Sequence, residues 1–462
     1  MKTLQKKTVR ERASQPLPNP VELSSLRQLI NWIARPYEFM DECIETYGDT
    51  FTMHLFGFRP LVFFSDPQSI KALFSADAKQ FDAGRGQDIL RPLLGDNSVI
   101  VMDGARHQRE RRLLMPPFHG AKVKSYGEVI CEITSEIGDT WKPGEKILAG
   151  EKMPEITLEV ILQTVFGLRE GSRYRQLKIA LLDWLSLTAS PVSASVLFLK
   201  WLQKDLGPWS PWGKIVRKRQ EVYALLQAEI EQRRADSVAE GDAAGDDVLS
   251  LMLLATDETG QSMTDAELKD ELVTMLFAGL ETTAIVLSWA LYWVHKLPDV
   301  KDKLMAELNA LPTDADPMAI ASLPYLSAVA SESLRIYPVA PITSPRIATE
   351  ATTIGNHTFP AETFIAPAIY AVHHREDLYP DSQVFRPERF LDRQFSASEF
   401  IPFGGGSRRC IGYALAKLEI NLVLATLLKQ HSFRLATAEA VTPRRRGVVL
   451  ATSNGVPLIV QS

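Results

Sequence analysis

The chain places one cysteine in a segment whose residue types suit a metal ligand. Residues 403–412 read Phe-Gly-Gly-Gly-Ser-Arg-Arg-Cys-Ile-Gly, and an apolar helical pattern runs from residue 411 to about residue 429. The glycines permit a turn whose backbone N–H groups point at the sulfur, and the start of the helix adds positive potential. A cysteine in such a loop can also be an ordinary small buried residue. The pattern as a whole favours Cys410 as a thiolate that binds a metal.

The longest predicted helix, residues 264–297, carries a second group of chemically active residues. It starts with the sequence of a capping box and is followed by a proline. Its centre, residues 277–283, reads Phe-Ala-Gly-Leu-Glu-Thr-Thr, so polar residues interrupt an apolar stretch. Gly279 weakens a helix, and a local opening beside Glu281 and Thr282 is therefore expected at a functional site. The alternative is a polar helix face turned to solvent.

A third motif is Glu332-Ser-Leu-Arg335, a glutamate and an arginine three positions apart. Such a pair usually lies on a helix surface and contributes little to stability. The same spacing recurs at residues 170–173 and 231–234, so the motif alone is weak. Its context distinguishes the pair at Glu332, because Phe-Arg-Pro-Glu-Arg-Phe follows at residues 385–390.

These residues need a scaffold, and the periodicity predicts one that is mainly α-helical with a small β part. Apolar residues at helical spacing predict helices over residues 124–167, 212–234, 264–297, 299–310 and 411–429. Short β-rich segments predict strands at residues 51–55, 61–64, 363–365, 448–450 and 457–460. The last two strands are expected to pair as a hairpin around Asn454-Gly455. The acidic stretch 236–247 is expected to be a solvent loop.

The composition excludes several classes of function. The chain has 462 residues, a net charge of -5 and three cysteines, Cys43, Cys131 and Cys410, without a CxxC pair. A disulfide framework, a structural zinc site and nucleic-acid binding are therefore not supported, and a reducing cytoplasm is expected. His373-His374 lacks a third ligand and is expected to be structural. No apolar run reaches about 18 residues, so neither a transmembrane helix nor a secretory signal is expected.

The spacing Phe-x-x-Gly-x-Arg-x-Cys-x-Gly is complete in residues 403–412, and ordinary residue usage makes a chance match rare. Together with the mid-helix segment and the Glu-x-x-Arg motif, it resembles the cytochromes P-450, the haem-thiolate monooxygenases, over about residues 36–460. The resemblance implies the cytochrome P-450 fold, with a single haem domain over residues 36–462. Residues 1–35 are expected to be a flexible N-terminal arm and the segment leading into that domain, and transient membrane contact of the basic arm is left open.

The resemblance assigns a role to each group of site residues. Cys410 becomes the proximal ligand of a haem iron, with Glu281 and Thr282 as the acid–alcohol pair on the opposite face. A buried network that braces the haem-binding core is expected from Glu332, Arg335 and Arg389. The residues expected to bind the haem are His107, Arg111, Ala278, Arg346, Phe403, Arg408 and Gly412. Four of these, His107, Arg111, Arg346 and Arg408, are the candidates for binding its two propionates.

The implied reaction is insertion of one atom of dioxygen into a hydrophobic small molecule. Haem b is the implied cofactor, dioxygen the co-substrate and NAD(P)H the indirect source of electrons. No Rossmann or flavodoxin-like segment follows the haem domain, so a separate ferredoxin-type donor with its reductase is expected. A basic docking surface for that donor is expected from Arg106, Arg109, Arg112, Arg409 and Lys417. A cytoplasmic monomer without a transmembrane anchor is expected.

The resemblance predicts the chemical class of the substrate. The chain resembles a cyanobacterial soluble group of P-450s linked to long-chain fatty acids and, in some members, terpenoids. Residues 82–100 are expected to form a lid over an apolar distal pocket. The expected lining residues are Ile89, Leu93, Leu94, Met275, Phe277, Ala278, Ala340, Ile342 and Val449. Arg85 or Arg91 could bind a substrate carboxylate, and a solvated loop cation is the alternative for each.

Two other functions stay open. One is a haem-thiolate isomerase or dehydratase that acts on hydroperoxides without external electrons. The other is a non-catalytic haem ligand-binding protein. Relatives of the first kind often lack the acid–alcohol pair, and this chain has Glu281 and Thr282.

Overall fold

The computed structural model describes residues 17–189, 203–240 and 245–461. The structure is mainly α-helical with a small β part, which confirms the predicted fold class. The helices before the longest one are α1 (Ser25–Ala34), α2 (Pro36–Tyr47), α3 (Pro67–Ser75), α4 (Ala83–Gly86), α5 (Arg91–Leu94), α6 (Gly104–Leu114), α7 (Gly120–Ser125), α8 (Gly127–Gly138), α9 (Ala149–Phe166), α10 (Ser172–Ala189), α11 (Pro211–Glu240) and α12 (Val248–Leu254). The remaining helices are α13 (Asp265–Lys296), α14 (Pro298–Asn309), α15 (Pro317–Ala321), α16 (Pro324–Ile336), α17 (Ile369–His373), α18 (Arg389–Asp392) and α19 (Tyr413–Gln430).

The β part consists of small sheets packed beside the helices. The strands are β1 (Thr50–Met53), β2 (Leu61–Phe64), β3 (Phe81–Asp82), β4 (Lys146–Leu148), β5 (Arg346–Ala348), β6 (Thr352–Ile354), β7 (His357–Phe359), β8 (Phe364–Pro367), β9 (Phe433–Leu435), β10 (Pro443–Arg446), β11 (Val449–Thr452) and β12 (Pro457–Val460). The largest sheet has the order β1-β2-β8-β5-β3, and β12 lies between β4 and β9. β6 pairs with β7, and β10 pairs with β11.

The hairpin predicted around Asn454-Gly455 is wrong. β11 pairs with β10 in the register Arg446 to Val449, and β12 pairs with β4 and β9 instead. The pairing with two distant strands keeps Leu458 fully buried. Strand register follows the apolar face that the core covers, and turn residues alone do not decide it.

Helix α13 runs through the core and carries the predicted acid–alcohol pair. Its 32 residues begin with a capping box in which Thr264 and Glu267 exchange hydrogen bonds, as the sequence predicts. It packs against α9 and α19. By length and mean hydropathy it could cross a membrane, but 67% of its most apolar window is buried inside the structure. Burial of that window identifies α13 as the central core helix.

Two further segments differ from the predicted boundaries, and a helix lies in the predicted entry segment. Residues 124–167 contain two long helices, α8 and α9, because the turn at Pro143-Gly144 and strand β4 separate them. Helix α1 lies within residues 1–35, the predicted arm and entry segment, and the buried Gln28 bonds it to the residues before it. Residues 1–16 of the predicted arm lie outside the described residues. Helix α11 extends to Glu240, into the predicted loop 236–247.

Candidate active site

The cysteine loop lies directly before α19 and is closed by its own backbone. The N–H of Cys410 donates to the carbonyl of Phe403 at 3.0 Å, and Gly412 is the N-cap of α19. The backbone N–H of Gly412 donates to the Cys410 sulfur. The structure therefore confirms the predicted turn with an N–H group directed at the sulfur.

The backbone conformation favours glycine at two positions of this loop. Gly404 and Gly406 both have a φ of 64°, a region that other residues rarely adopt. A Cβ at Gly406 would also overlap the carbonyl of Phe74, near the end of α3. The loop is therefore pressed against α3, and its shape is fixed by the chain itself.

The surroundings of the sulfur differ from the expectation of a preformed thiolate. Cys410 is accessible to solvent, yet burial by the surrounding chain raises the pKa of its thiol, so the side chain lies in a recess of the protein. The Gly412 N–H and the charges of Arg111 and Arg409 lower this pKa but do not outweigh burial. Cysteine ligands lose their proton when they bind a metal, and the site fits that behaviour.

The four side chains predicted to bind propionates converge near the loop. His107, Arg346 and Arg408 line one concavity, and Arg111 lies one helical turn after His107 on α6. Arg346 is buried and donates to two backbone carbonyls at 2.6 and 3.0 Å, the second of them in the cysteine loop. The structure thus brings together residues from α6, β5 and the loop.

The positive charges of this cluster exceed the acids that face it. Burial and the charge of Arg408 lower the pKa of Arg346 to about 10. Burial and the charges of Arg408 and Arg111 lower the pKa of His107 to about 3, so the imidazole is neutral near pH 7 and can donate one N–H. Asp103, which the sequence analysis missed, accepts a hydrogen bond from Arg408 at 2.6 Å and offsets part of the charge. A group with two carboxylates, such as haem, fits these donors.

The predicted distal residues lie on α13, which continues through the expected opening without a break. The Thr282 hydroxyl donates to the carbonyl of Ala278 at 2.6 Å. Ala278 is exposed and Thr282 is half-buried, although Leu276 and Leu280 beside them are buried. Exposed side chains in the middle of a core helix mark an interior cavity, and α13 packs against α19, the helix that follows Cys410. This arrangement favours the functional interpretation over a solvent-facing polar stripe.

Glu281 lies beside the hairpin formed by β10 and β11. Its carboxylate is 3.0 Å from Nε of Arg446, and the two side chains are 30% and 49% exposed. Burial raises the pKa of Glu281, and the charge of Arg446 opposes this rise. The acid therefore lies between the interior and solvent. The sequence analysis missed Arg446, and the only signal for it is a run of three arginines at residues 444–446.

The predicted brace is confirmed. Glu332 accepts two hydrogen bonds from Arg335, at 2.7 and 2.8 Å, and a third from Arg389 at 3.1 Å. All three side chains are buried. Arg335 also donates to the carbonyl of His373, whose ring accepts the N–H of Ile401 at 2.9 Å. The histidine pair is thus structural, as predicted, and no cluster of metal-binding side chains occurs among the described residues.

Two predicted loop cations are already paired. Arg85 donates to Asp82 and Glu362, and Arg91 bonds Asp88 and the carbonyl of Val101. These contacts favour the alternative of loop cations over a site for a substrate carboxylate.

Comparison with known proteins agrees with this geometry. A family model described as Cytochrome P450 matches residues 15–458. Cytochrome P450 135B1 of Mycobacterium tuberculosis is 34% identical over 463 residues, which cover 97% of this chain and 92% of that protein. Cytochrome P450 138 of the same species is 30% identical and covers 96% of each chain.

Two solved structures share the fold. Retinoic acid-bound cyanobacterial CYP120A1 has a TM-score of 0.82 at 24% identity, covering 97% of this chain and 99% of its own. The heme domain of cytochrome P450DA has a TM-score of 0.82 at 22% identity, covering 96% and 97%. At these identities the likeness concerns the fold alone.

Proposed function

Because the chain belongs to the cytochrome P450 family, it is a haem monooxygenase, and we propose that it hydroxylates a long-chain fatty acid or a terpenoid. Its cofactor is haem b, its co-substrate is dioxygen, and its electrons come from NAD(P)H through partner proteins. One observation carries the proposal: the accessible Cys410 lies beside a cluster of unbalanced cations, near a core helix with an exposed apolar position at Ala278.

Each side chain has a proposed task. When bound, haem supplies the redox chemistry that activates dioxygen, with the Cys410 sulfur as its protein ligand. The four donors His107, Arg111, Arg346 and Arg408 would hold its propionates. The Thr282 hydroxyl would hold a water molecule and a proton at Oγ1. Glu281, half-exposed beside Arg446, would exchange protons between solvent and that hydroxyl.

Replacement of Thr282 by alanine is expected to divert electrons from product to peroxide or water. The substitution removes the hydroxyl that bonds the Ala278 carbonyl and holds the proton, so product formed per NADPH should fall at least about tenfold. The measurement compares NADPH consumption, peroxide and product in the haem-loaded protein. Thr282→Ser keeps the hydroxyl and should restore coupling. Equal coupling in the wild type and Thr282→Ala would place the proton relay elsewhere.

Apolar surroundings support a hydrophobic substrate. Of the predicted lining residues, Leu93 and Leu94 are buried in the main core, and Phe277 borders a small cavity. The cavity is lined by Leu158, Leu181, Leu276, Phe277 and Leu280. Because Arg85 and Arg91 are paired, a fatty acid would extend its chain inward and leave its carboxylate near solvent.

A spectroscopic screen tests the substrate class. Long-chain fatty acids, terpenoids and small aromatic compounds are added to the ferric protein, and the shift of the haem spin state is recorded. A response to fatty acids or terpenoids at micromolar concentration supports the proposal. A response confined to aromatic compounds contradicts it.

The isomerase or dehydratase and the ligand-binding protein are separated by one assay. The haem-loaded protein receives NADPH, a surrogate plant-type ferredoxin and its reductase under dioxygen. Oxygenated product that depends on reductant supports the monooxygenase. Turnover of a fatty-acid hydroperoxide without reductant would favour the isomerase, and binding without turnover of either kind would favour the ligand-binding protein.

The predicted docking surface for a ferredoxin is smaller than the sequence suggests. Arg109 is bonded to Asp257 and Glu110, and Arg112 to Glu258. Of the five predicted cations, Arg106, Arg409 and Lys417 are exposed and form no ion pair within the part of the chain that the structure describes. We place the electron donor at this reduced surface and the enzyme, as a monomer, in the cytoplasm.

Lys417→Glu is expected to slow reduction by the acidic ferredoxin about tenfold at low salt, because it reverses a charge on that surface. The measurement is the rate at which the ferrous carbon monoxide complex forms at low and high ionic strength. Arg112→Glu is the matched control, since Glu258 already pairs with Arg112. Rates that do not differ between Lys417→Glu and the wild type at low salt would contradict this docking surface.

A further inference from the structure

The lid segment, residues 82–100, is fastened to α13 by a buried carboxylate. Asp270 Oδ2 accepts the backbone N–H of Asn97 at 2.9 Å and its side-chain amide at 2.9 Å. Asp270 is 4% exposed, so solvent competes little for these bonds. One carboxylate oxygen therefore holds both the main chain and the side chain of a lid residue.

Two neighbouring residues of α13 continue this attachment. Glu271 accepts the backbone N–H of Val99 at 2.6 Å, and the Thr274 hydroxyl bonds the Ser98 hydroxyl at 2.7 Å. Together with the bonds to Asn97, these contacts engage three consecutive lid residues. The register of the lid against α13 is thus fixed by side chains of the helix.

The lid is also shaped to receive Asp270. Gly95 has a φ of 89°, and a Cβ at this position would overlap the Asp270 carboxylate. A glycine is needed both for the backbone conformation and for the close approach. This close approach places the turn at Gly95 directly against the Asp270 carboxylate.

The second oxygen of Asp270 is held by α11. Oδ1 accepts the hydroxyl proton of Tyr223, and the guanidinium of Arg219 lies 3.7 Å away. Arg219 in turn donates to the Tyr223 oxygen at 2.9 Å and to the lid carbonyl of Pro92 at 3.1 Å. Helix α11 and the lid therefore meet at one carboxylate.

The same end of the lid also contacts the cysteine loop. Arg408 donates to the carbonyls of Val99 and Met102 at 3.3 and 2.7 Å. Val99 is thus bonded through its N–H to Glu271 and through its carbonyl to Arg408. A displacement of the lid at Asp270 would reach the cationic cluster beside Cys410.

We propose that Asp270 is a positioning residue that couples the lid to α11, so that a displacement of either element is transmitted to the other. Oδ1 of this carboxylate bonds α11 and Oδ2 bonds the lid, and Arg219 adds a direct bond from α11 to the lid carbonyl of Pro92. This inference rests on the proposed function only for the identity of the ligand that enters beneath the lid. The coupling itself is a property of the folded chain. Loss of the Tyr223 bond on α11 should therefore also increase the mobility of the lid, and loss of the Asn97 bonds should increase the mobility of α11.

Hydrogen–deuterium exchange of the haem-loaded full chain tests the coupling directly. Asp270→Ala should raise exchange at residues 95–101 and around Tyr223 together, by about tenfold or more, because both lose a charged acceptor. The decisive variant is Tyr223→Phe, which removes the hydroxyl bonded to Asp270 and Arg219 and leaves the groups that bond Asn97 and Val99 in place. In this variant the backbone amides of Asn97 and Val99 in the lid should exchange several times faster than in the wild type. Unchanged lid exchange in Tyr223→Phe would overturn the coupling.

A matched control uses another bond between the same two helices. Gln227 on α11 bonds Asp265 and Lys269 of α13, each at 2.7 Å, one turn from Tyr223 and without a lid contact. Gln227→Leu should loosen α11 locally and leave exchange at residues 95–101 unchanged. Equal loosening of the lid in Gln227→Leu would show a general effect of helix packing and would also overturn the proposal.

Ligand entry gives a second readout that needs no substrate. The rate at which 4-phenylimidazole shifts the Soret band of the ferric protein should rise several-fold in Asp270→Ala and Tyr223→Phe. The rate for the smaller imidazole should change little, because it needs a smaller opening. Accelerated binding of both probes in Gln227→Leu as well would contradict a specific role of Asp270. Failure of the monooxygenase assay would leave these exchange and binding results intact, so the two proposals fail separately.

Discussion

Replacement of Cys410 by alanine is expected to abolish the thiolate-type absorption spectrum of the reduced carbon monoxide adduct and all monooxygenase activity. The side chain lies in a recess of the protein, is supported by the Gly412 N–H, and lies beside the charges of Arg111 and Arg409. Alanine removes the sulfur and leaves the loop backbone, which is held by the Phe403 carbonyl and by packing against α3. The measurement is the absorption spectrum of the reduced protein under carbon monoxide, with circular dichroism to show that the helices remain.

The other two cysteines provide matched controls. Cys43 is buried, where burial raises the pKa of its thiol, and Cys131 is half-buried. Cys43→Ala and Cys131→Ala should keep the thiolate spectrum. A Cys410→Ala protein with the wild-type spectrum would show that the sulfur ligand is another residue.

Local patterns predicted those parts of the site that neighbouring residues determine. The turn of the cysteine loop is set largely by its own glycines and the start of α19, and the start of α13 by its capping box. Periodicity and spacing record such features directly. For that reason the turn before Cys410 and the capped start of α13 are confirmed, whereas the roles of Glu281 and Thr282 stay predictions.

Partners that are distant in sequence could not be predicted. Asp103 and Arg408 are 305 positions apart, and nothing near either residue indicates the pair. Arg446 meets Glu281 only because β10 and β11 form a hairpin beside α13. Such contacts depend on the tertiary arrangement of strands, which a single sequence encodes weakly.

The predicted basic surface is a second case in which contacts between distant residues could not be predicted from the sequence. The sequence predicts that Arg109 and Arg112 face a redox partner, since they lie in a basic run. In the structure Asp257 pairs with Arg109 and Glu258 pairs with Arg112, so acids from one turn offset both charges. Charge along the sequence therefore overestimates charge at a surface, because folding brings opposite charges together.

Glu332→Gln is expected to lower the free energy of unfolding by about 3–5 kcal/mol and to weaken haem retention. The carboxylate is fully buried and accepts bonds from Arg335, Arg389 and the backbone N–H of Arg386. Glutamine keeps one acceptor oxygen but no charge, which leaves two buried guanidiniums without their counter-ion. Chemical unfolding and the rate of haem transfer to an acceptor protein measure the two effects.

The repeated motif supplies the control for this last prediction. Glu170 has the same spacing to Arg173 that Glu332 has to Arg335, but it is exposed, and Arg173 bonds Glu229. Glu170→Gln should therefore change stability and haem retention little, because exposed charges contribute weakly. If both substitutions have equal effects, the brace owes its stability to helix propensity and not to the buried network. A loss confined to Glu332→Gln shows that identical sequence motifs differ in energy through burial alone.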